Sequence, residues 1–257
     1  MKKIAIITGA SSGIGKEFLK CVSKEEQFDE IWAIARREDR LKALKEETAL
    51  PIVPISLDLT KEESYNILKE RLETEDVSVS LLANISGYGK FGYTDKIPLT
   101  ETLGMIDLNC RALTAITHIV LPFIPKGGKI LEFDSISAFH PVPYINVYAA
   151  TKAYVLSFTR GLARELKPRK IRVMAACPFW VNTEFFAVAE KNSSTSINKI
   201  GVVYEAKDVA KTTVRHLYHT KKDVSVHGKY ANFQRFLVKI LPHSIVMKIW
   251  VSAQNFK

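Results

Sequence analysis

Tyr148 and Lys152 lie four residues apart in Tyr148-Ala149-Ala150-Thr151-Lys152, a spacing that puts a phenol and an ammonium on one face of a helix. A free phenol gives up its proton near about pH 10 and is a poor acid–base catalyst at neutrality. A fixed cation beside it favours phenolate and is expected to bring that pKa down into a working range. Such pairs are common, and their meaning rests on what accompanies them.

A second constellation lies at the start of the chain. Thr8-Gly9-Ala10-Ser11-Ser12-Gly13-Ile14-Gly15 follows a short apolar run and opens a helical pattern. Glycines here permit a tight turn and close approach to a pyrophosphate, and the helix N-terminus adds unpaired N–H groups and a positive dipole end. The spacing is G-x-x-x-G-x-G rather than G-x-G-x-x-G. At the end of the next apolar run stands Ala35-Arg36-Arg37, where a fold that uses NAD usually carries an acidic residue for the ribose hydroxyls. Guanidinium groups would instead bond a 2′-phosphate, which points to NADP(H). Arg36 is the first candidate, Arg37 the second, and Ser11 could reach the same phosphate.

The elements that must position these residues alternate. Apolar runs at 4–8, 30–35, 52–57, 79–84, 129–134 and 171–177 read as strands, with a last one at 223–226. Helical patterns occupy 14–25, 40–47, 100–121 (ended by Pro122), 148–166 (stopped by Pro168) and 207–217, and Thr60 is expected to cap a helix entering at Lys61-Glu62-Glu63. Continuous apolar strands suit a parallel sheet covered on both faces, so the expected fold is α/β, a single-domain Rossmann-type doubly wound parallel sheet of about seven strands with helices on both faces. Residues 1–230 are expected to form this domain, including a substrate loop at 179–204, with 231–257 as an amphipathic C-terminal extension of it.

Composition agrees with one soluble domain: 257 residues, 47% hydrophobic and 25% charged, need no disulfide staples. Cys21, Cys110 and Cys177 have no C-x-x-C spacing and are expected to be reduced, in a cytoplasmic protein. The N-terminal apolar run is too short for a secretory signal and reads as a first strand. No run of about 18 apolar residues predicts a membrane span. The formal net charge of +10 suits a solvated basic surface, a phosphorylated cofactor, an acyl thioester substrate or an acidic membrane surface. The basic residues are scattered and carry no nucleic-acid-binding motif. No metal-ligand pattern is present.

Taken together, the glycine turn, Tyr148 and Lys152 resemble the short-chain dehydrogenase/reductase family, over residues 4 to about 226. Asp58-Leu59 matches the family's adenine-contact position, and Asn84-Ile85-Ser86-Gly87 is an altered form of its N-N-A-G motif. Asn109 matches its helix asparagine, Pro178 the proline after the sixth strand, and Thr183, with Val181 before it, the segment that contacts the nicotinamide amide. Ser135, thirteen residues before Tyr148, matches the active-site serine, with Ser137 as a competitor.

The resemblance implies a catalytic set of Asn109, Ser135, Tyr148 and Lys152. It implies hydride transfer between a carbonyl and an alcohol, with Tyr148 as the acid, Ser135 steadying the reacting oxygen, Lys152 also binding ribose hydroxyls, and Asn109 holding a relay water. It also implies a homodimer or homotetramer paired through the two long helices. The cofactor-binding residues expected on these grounds are Thr8, Gly9, Ser11, Ser12, Gly13, Ile14, Gly15, Arg36, Arg37, Asp58, Leu59, Asn84, Ser86, Gly87, Asn109, Tyr148, Lys152, Pro178, Val181 and Thr183.

One departure bears on the substrate. Phe179 follows Pro178 where the family usually has glycine. With Tyr144, Trp180 and Phe185 it is expected to line a lipophilic pocket beside Ser135, whereas His140 is expected at the surface. A polar, mobile loop is expected at 192–196. The tail, with Phe233, Phe236, Leu237, Ile240 and Leu241 at helical spacing, reads as a helix packed on its own domain or a partner subunit, a lid over the cleft, or a membrane-surface helix. The competing function is a dinucleotide-binding regulator without turnover.

Overall fold

In the computed structural model, which describes residues 1–191, 197–199 and 201–254, the chain opens on β1 (Lys2–Thr8), α1 (Gly13–Val22), β2 (Glu30–Ala35), α2 (Glu38–Glu47) and β3 (Ile52–Ser56). It continues through α3 (Glu62–Thr74), β4 (Val77–Asn84), α4 (Leu99–Ile106), a π-helical turn (Asp107–Ala112) and α5 (Leu113–Val120). Then come β5 (Lys129–Phe133), α6 (Asn146–Glu165) and β6 (Arg172–Ala176). Seven strands form one sheet in the order β3-β2-β1-β4-β5-β6-β9, where β9 is Val224–Ser225, and every neighbouring pair is parallel.

The strands read as unbroken apolar runs because both faces are covered. Ala5 and Ile7 point to one side, with Phe18 and Leu19 of α1, Leu41 and Leu44 of α2, and Val209 and Leu217 of α8 (Ala206–His219). Ile4 and Ile6 point to the other, with Leu68 of α3, Ile116 of α5 and Leu162 of α6. The period of two along a strand produces this division. The order reverses between β1 and β4, so the loops after these strands part and leave a crevice at their carboxyl ends.

Four local expectations are corrected. Thr60 does not cap α3: the preceding position is Lys61, and Thr60 instead bonds Asp58 Oδ1 through its hydroxyl (2.8 Å) and its N–H (3.1 Å). That carboxylate holds Thr60 in the turn ahead of the helix. The long helix before Pro122 is not uniform, since its middle turn is π-helical and it closes as a 3-10 turn, Leu121–Phe123.

Residues 179–204 are not merely a loop. β7 (Trp180–Asn182) pairs in parallel with β8 (Val203–Glu205), and α7 (Phe185–Glu190) lies between them. The segment 192–196, expected to be mobile, falls outside the described residues. The tail is two helices, α9 (Lys229–Ile240) and α10 (His243–Ser252), because Pro242 breaks the pattern. Trp250 Nε1 donates to the Pro143 carbonyl (2.9 Å), and Asn198 N donates to Gln254 Oε1 (2.8 Å). These bonds fold the tail back onto the body of the domain.

Candidate active site

A cleft of about 1550 Å³ runs across the carboxyl ends of the strands. The turn after β1 forms one end. Gly9 has φ +70°, and a Cβ there would lie 2.9 Å from the Ser86 backbone nitrogen, so only glycine lets the two loops meet. Thr8 holds the opposite loop, its Oγ1 accepting from Ile85 N (3.0 Å) and Ser86 N (3.1 Å). Gly9, Ser11, Ser12, Gly13, Ile14 and Gly15 line the cleft, and α1 points its N-terminus at it.

Arg36 and Arg37 line the same end. Arg37 Nη2 donates to Ser12 Oγ (2.8 Å) and reaches Ser11 Oγ (3.3 Å), while its Nη1 pairs with Glu184 Oε2 (2.8 Å). Arg36 faces Asp58. Burial would raise the Asp58 pKa, but the Thr60 bonds and the Arg36 charge hold it below the usual carboxylate range.

The other end carries the chemistry. Lys152 is buried and its Nζ donates to the Phe133 carbonyl (2.7 Å), with the ammonium 5.7 Å from the Tyr148 ring centroid. Burial pushes the Lys152 pKa down, and Asp134 opposes that. Tyr148 presents its ring to the cleft with its hydroxyl enclosed. Enclosure pushes the phenol well above its ordinary pKa, and the hydrogen bond with the Ser135 hydroxyl is the influence that lowers it. The expectation that Lys152 brings this pKa toward neutrality is therefore corrected. The ammonium is turned to a carbonyl, and desolvation outweighs the remaining influences.

Ser135 lines the cleft beside Tyr148, and its Oγ accepts from Ser137 N (3.2 Å). Ser137 Oγ has no partner among the described residues, which separates the two candidates.

Asn109 is buried within the π-helical turn. Its Oδ1 accepts from Tyr88 N (3.1 Å), and its Nδ2 donates to Tyr88 O (2.9 Å) and Thr151 Oγ1 (3.0 Å). A π-turn often marks a functional segment, and this one aims Asn109 at the loop beneath Lys152.

Of the expected cofactor contacts, Asp58, Leu59, Ser86, Gly87, Tyr148, Lys152, Pro178, Val181 and Thr183 line the cleft as well. Thr8, Asn84 and Asn109 do not. Thr8 and Asn109 act on the loops that line it. Asn84 sits inside the sheet, where its Nδ2 donates to Thr117 Oγ1 (2.9 Å) and Glu132 Oε2 (3.1 Å). Glu132 is fully buried, and burial raises its pKa to about 8 against the Thr117 and Asn84 bonds.

Aromatic side chains wall the region around Tyr148. Phe185 lies 5.4 Å from the Tyr148 ring centroid, Phe91 lies 6.1 Å from Phe185, and Trp180 lies 5.6 Å from Phe179. Phe179, Trp180 and Phe185 line the cleft as expected. Tyr144 does not. With φ +67° it turns away and packs edge-on against Tyr93 (5.1 Å), beside a separate shallow hollow. His140, expected at the surface, is buried in the cleft wall, where desolvation lowers its pKa to about 4.

Several residues that shape the cleft escape a reading of the sequence. Gly89 is one: a Cβ there would come within 2.9 Å of Tyr148 Cδ2, so its lack of a side chain makes room for the Tyr148 ring. Phe91 and Trp250 are others. Trp250, the only tryptophan of the tail, is a signal that could have drawn attention.

A parallel sheet with a switch point at β1 and β4, a glycine turn beside it and a phenol–hydroxyl pair across the cleft defines a dinucleotide-binding fold with an acid–base centre. The chain belongs to the short-chain dehydrogenase family, whose model matches residues 3–194. It is thus an oxidoreductase acting on alcohol or carbonyl groups with a nucleotide cofactor.

It is 29% identical over 217 residues to a serine 3-dehydrogenase of Rhizobium radiobacter, covering 82% of this chain and 86% of that one. It is 32% identical over 189 residues to a very-long-chain 3-oxoacyl-CoA reductase of Rattus norvegicus, covering 70% and 60%. Among solved structures, it matches the closed form of serine dehydrogenase complexed with NADP+ at TM-score 0.75 and 25% identity, covering 87% and 94%. It also matches a bulky-bulky ketone specific alcohol dehydrogenase from Comamonas testosteroni at TM-score 0.69 and 25% identity, covering 94% and 95%.

The residues of the cleft fit the dinucleotide that the family implies. The Ser12 side chain makes no cap bond at the start of α1, which leaves first-turn N–H groups facing the cleft. The close Gly9–Ser86 approach leaves backbone on both sides of the turn for a pyrophosphate.

Proposed function

We propose that this protein is an NADP(H)-dependent carbonyl reductase that interconverts a lipophilic ketone or aldehyde with its alcohol. One observation carries the reading: Ser135, Tyr148 and Lys152 line one cleft together with Phe179, Trp180 and Phe185. Bound NADPH would supply the hydride.

The glycine turn and the start of α1 would hold the pyrophosphate, Arg36 and Arg37 the 2′-phosphate, and Asp58 and Leu59 the adenine. Ser86, Gly87, Tyr148, Lys152, Pro178, Val181 and Thr183 would hold the nicotinamide half.

As a carbonyl is reduced, negative charge grows on its oxygen. Tyr148 and Ser135 both donate hydrogen bonds to that oxygen, and Tyr148 passes it a proton. The raised phenol pKa keeps Tyr148 protonated at neutral pH, ready to act as an acid. Lys152, whose ammonium lies 5.7 Å from the phenol ring centroid, supplies the proton that restores Tyr148 after transfer. Asn109 fixes the Tyr88 loop and holds the water through which Lys152 returns a proton from solvent.

The aromatic walls favour lipophilic carbonyls. The similarity to enzymes named for bulky ketones and for very-long-chain 3-oxoacyl thioesters supports the same class. Exposed Leu103, Ile106 and Tyr154 on α4 and α6 support pairing of subunits through those helices.

The test is NADPH oxidation across ketones, aldehydes and 3-oxoacyl thioesters, repeated with NADH. Lipophilic carbonyls with NADPH are expected to give the highest kcat/KM. No turnover of any carbonyl would support the regulator reading instead, and equal use of both cofactors would remove the arginine assignment.

A further inference from the structure

The two tail helices carry apolar residues on their outer side as well as their inner side. A helix packed on a soluble domain buries its apolar stripe and offers polar residues to water. On α9 the residues turned inward include Ala231, Val238 and Arg235, whose guanidinium lies over the Phe139 ring at 5.1 Å. The residues turned outward include Phe233 and Phe236, each 59% exposed, and Ile240, 62% exposed. Their spacing of three and four residues puts them on one stripe. On α10, Ile245 and Ile249 continue the stripe at a spacing of four, and Ile249 is 60% exposed.

Charge points to what covers this face. From Lys229 to Gln254 the chain carries four Lys and Arg residues and no Asp or Glu. Lys229, Lys239 and Lys248 are exposed, and none of them forms an ion pair among the described residues. Elsewhere acidic residues are interspersed and some lysines meet them, as in Lys42–Glu38 and Lys16–Glu47. An apolar stripe flanked by unpaired lysines, with no acidic residue nearby, is the composition of a helix that lies in the headgroup region of an anionic bilayer. No helix among the described residues is long and apolar enough to cross a membrane, so contact would be peripheral.

The exposed stripe is continuous with the cleft. Ile249 belongs to both, since it is exposed and also lines the cleft, and Tyr230 does the same beside Phe179 (5.4 Å). We propose that α9 and α10 dock this enzyme on an anionic lipid surface and that the cleft mouth between them takes its lipophilic carbonyl substrate from that surface. The substrate route rests on the function proposed above, whereas the docking does not.

The experiment separates the two. Wild-type protein is sedimented with phosphatidylcholine vesicles and with vesicles that also hold phosphatidylglycerol, at low and high salt, beside Phe233→Ser/Phe236→Ser and Lys229→Glu/Lys239→Glu/Lys248→Glu. Wild type is expected to sediment with the anionic vesicles and to be partly released by salt. Both variants are expected to lose about tenfold or more in vesicle affinity.

Neither double Phe nor triple Lys variant touches the groups assigned to chemistry, so turnover of a water-soluble aldehyde should be unchanged. Turnover of a long-chain ketone dissolved in the vesicles should fall. Failure of wild type to bind anionic vesicles overturns the docking, whatever its activity. So does a change of oligomeric state in the Phe variant without vesicle binding by wild type, which would make the stripe an interface between copies. Vesicle binding with unchanged turnover of vesicle-dissolved ketone in both variants overturns the route alone.

Discussion

Arg37 Nη1 and Glu184 Oε2 lie 2.8 Å apart, tying the residue that caps the start of α2 to the start of α7. Arg40 joins the same carboxylate, and together Arg40 and Arg37 hold the Glu184 pKa below its usual range. Arg37 thus has an anion already, in the position from which it would meet a 2′-phosphate. A phosphate held there has to displace Glu184 or share the guanidinium with it.

Glu184→Gln is therefore expected to lower KM for NADPH by about two- to fivefold and to leave KM for NADH unchanged. The size follows from a half-exposed ion pair worth at most about 1 kcal/mol. Initial rates at varied cofactor would show it. A rise in KM for NADPH would mean that Glu184 positions Arg37 rather than competing for it.

Tyr148→Phe removes the proton donor and keeps the ring against Phe185. Turnover should drop by about a hundredfold to ten-thousandfold, the range for a lost general acid. Binding of NADPH, followed by the fluorescence of the reduced cofactor, should stay within about twofold of wild type, because the phenol hydroxyl is one contact among many. Substantial retained turnover would remove Tyr148 from its role.

The fold was largely legible in the sequence because parallel strands buried on both faces leave continuous apolar runs, and glycine turns leave their spacing. Ser135, Tyr148 and Lys152 were legible for a similar reason: their chemistry demands particular residue types. What escaped depended on direction rather than type. The sequence places Tyr144 four residues before Tyr148, but its left-handed backbone turns it out of the cleft. Lys152 stands one turn from Tyr148, yet its ammonium goes to the Phe133 carbonyl, and the phenol pKa rises. Gly89 and Trp250 reach the site from distant segments, and no local pattern encodes that contact.

Glu132 gives the protein a pH signature. Its folded pKa of about 8 lies above the ordinary carboxylate value, so the folded state holds a proton that the unfolded state has released. Its stabilising contribution is complete below the unfolded pKa and is lost as pH rises toward 8. Asp134, raised to about 7 by burial against the attraction of Lys152, acts in the same direction. Glu132→Gln keeps an oxygen for Asn84 and Thr117 but cannot ionise. Its unfolding free energy should fall less steeply between pH 5 and 8 than that of wild type, by up to about 1.4 kcal/mol per pH unit, the limit for one proton. Urea titrations at several pH values measure the slope, and identical slopes would place the Glu132 proton elsewhere.

Trp250 joins the tail to the substrate end of the cleft. Its Nε1 donates to the Pro143 carbonyl, its ring lies 6.4 Å from Trp180, and Val142 and Ile145 beside Pro143 line the same cavity. Trp250→Ala removes the bond and one aromatic wall together. The loss of a partly buried indole should cost about 1–3 kcal/mol, or several degrees of Tm for a chain of this size. The kinetic effect should be selective: KM for a bulky aromatic ketone should rise about tenfold, while a small aldehyde, held by Ser135 and Tyr148 alone, should keep its kcat/KM. Trp250→Phe retains the ring but not the bond, and should recover most of the bulky-ketone KM without recovering all of the Tm. Equal losses for small and bulky substrates would mean that α10 stabilises the domain without shaping the pocket.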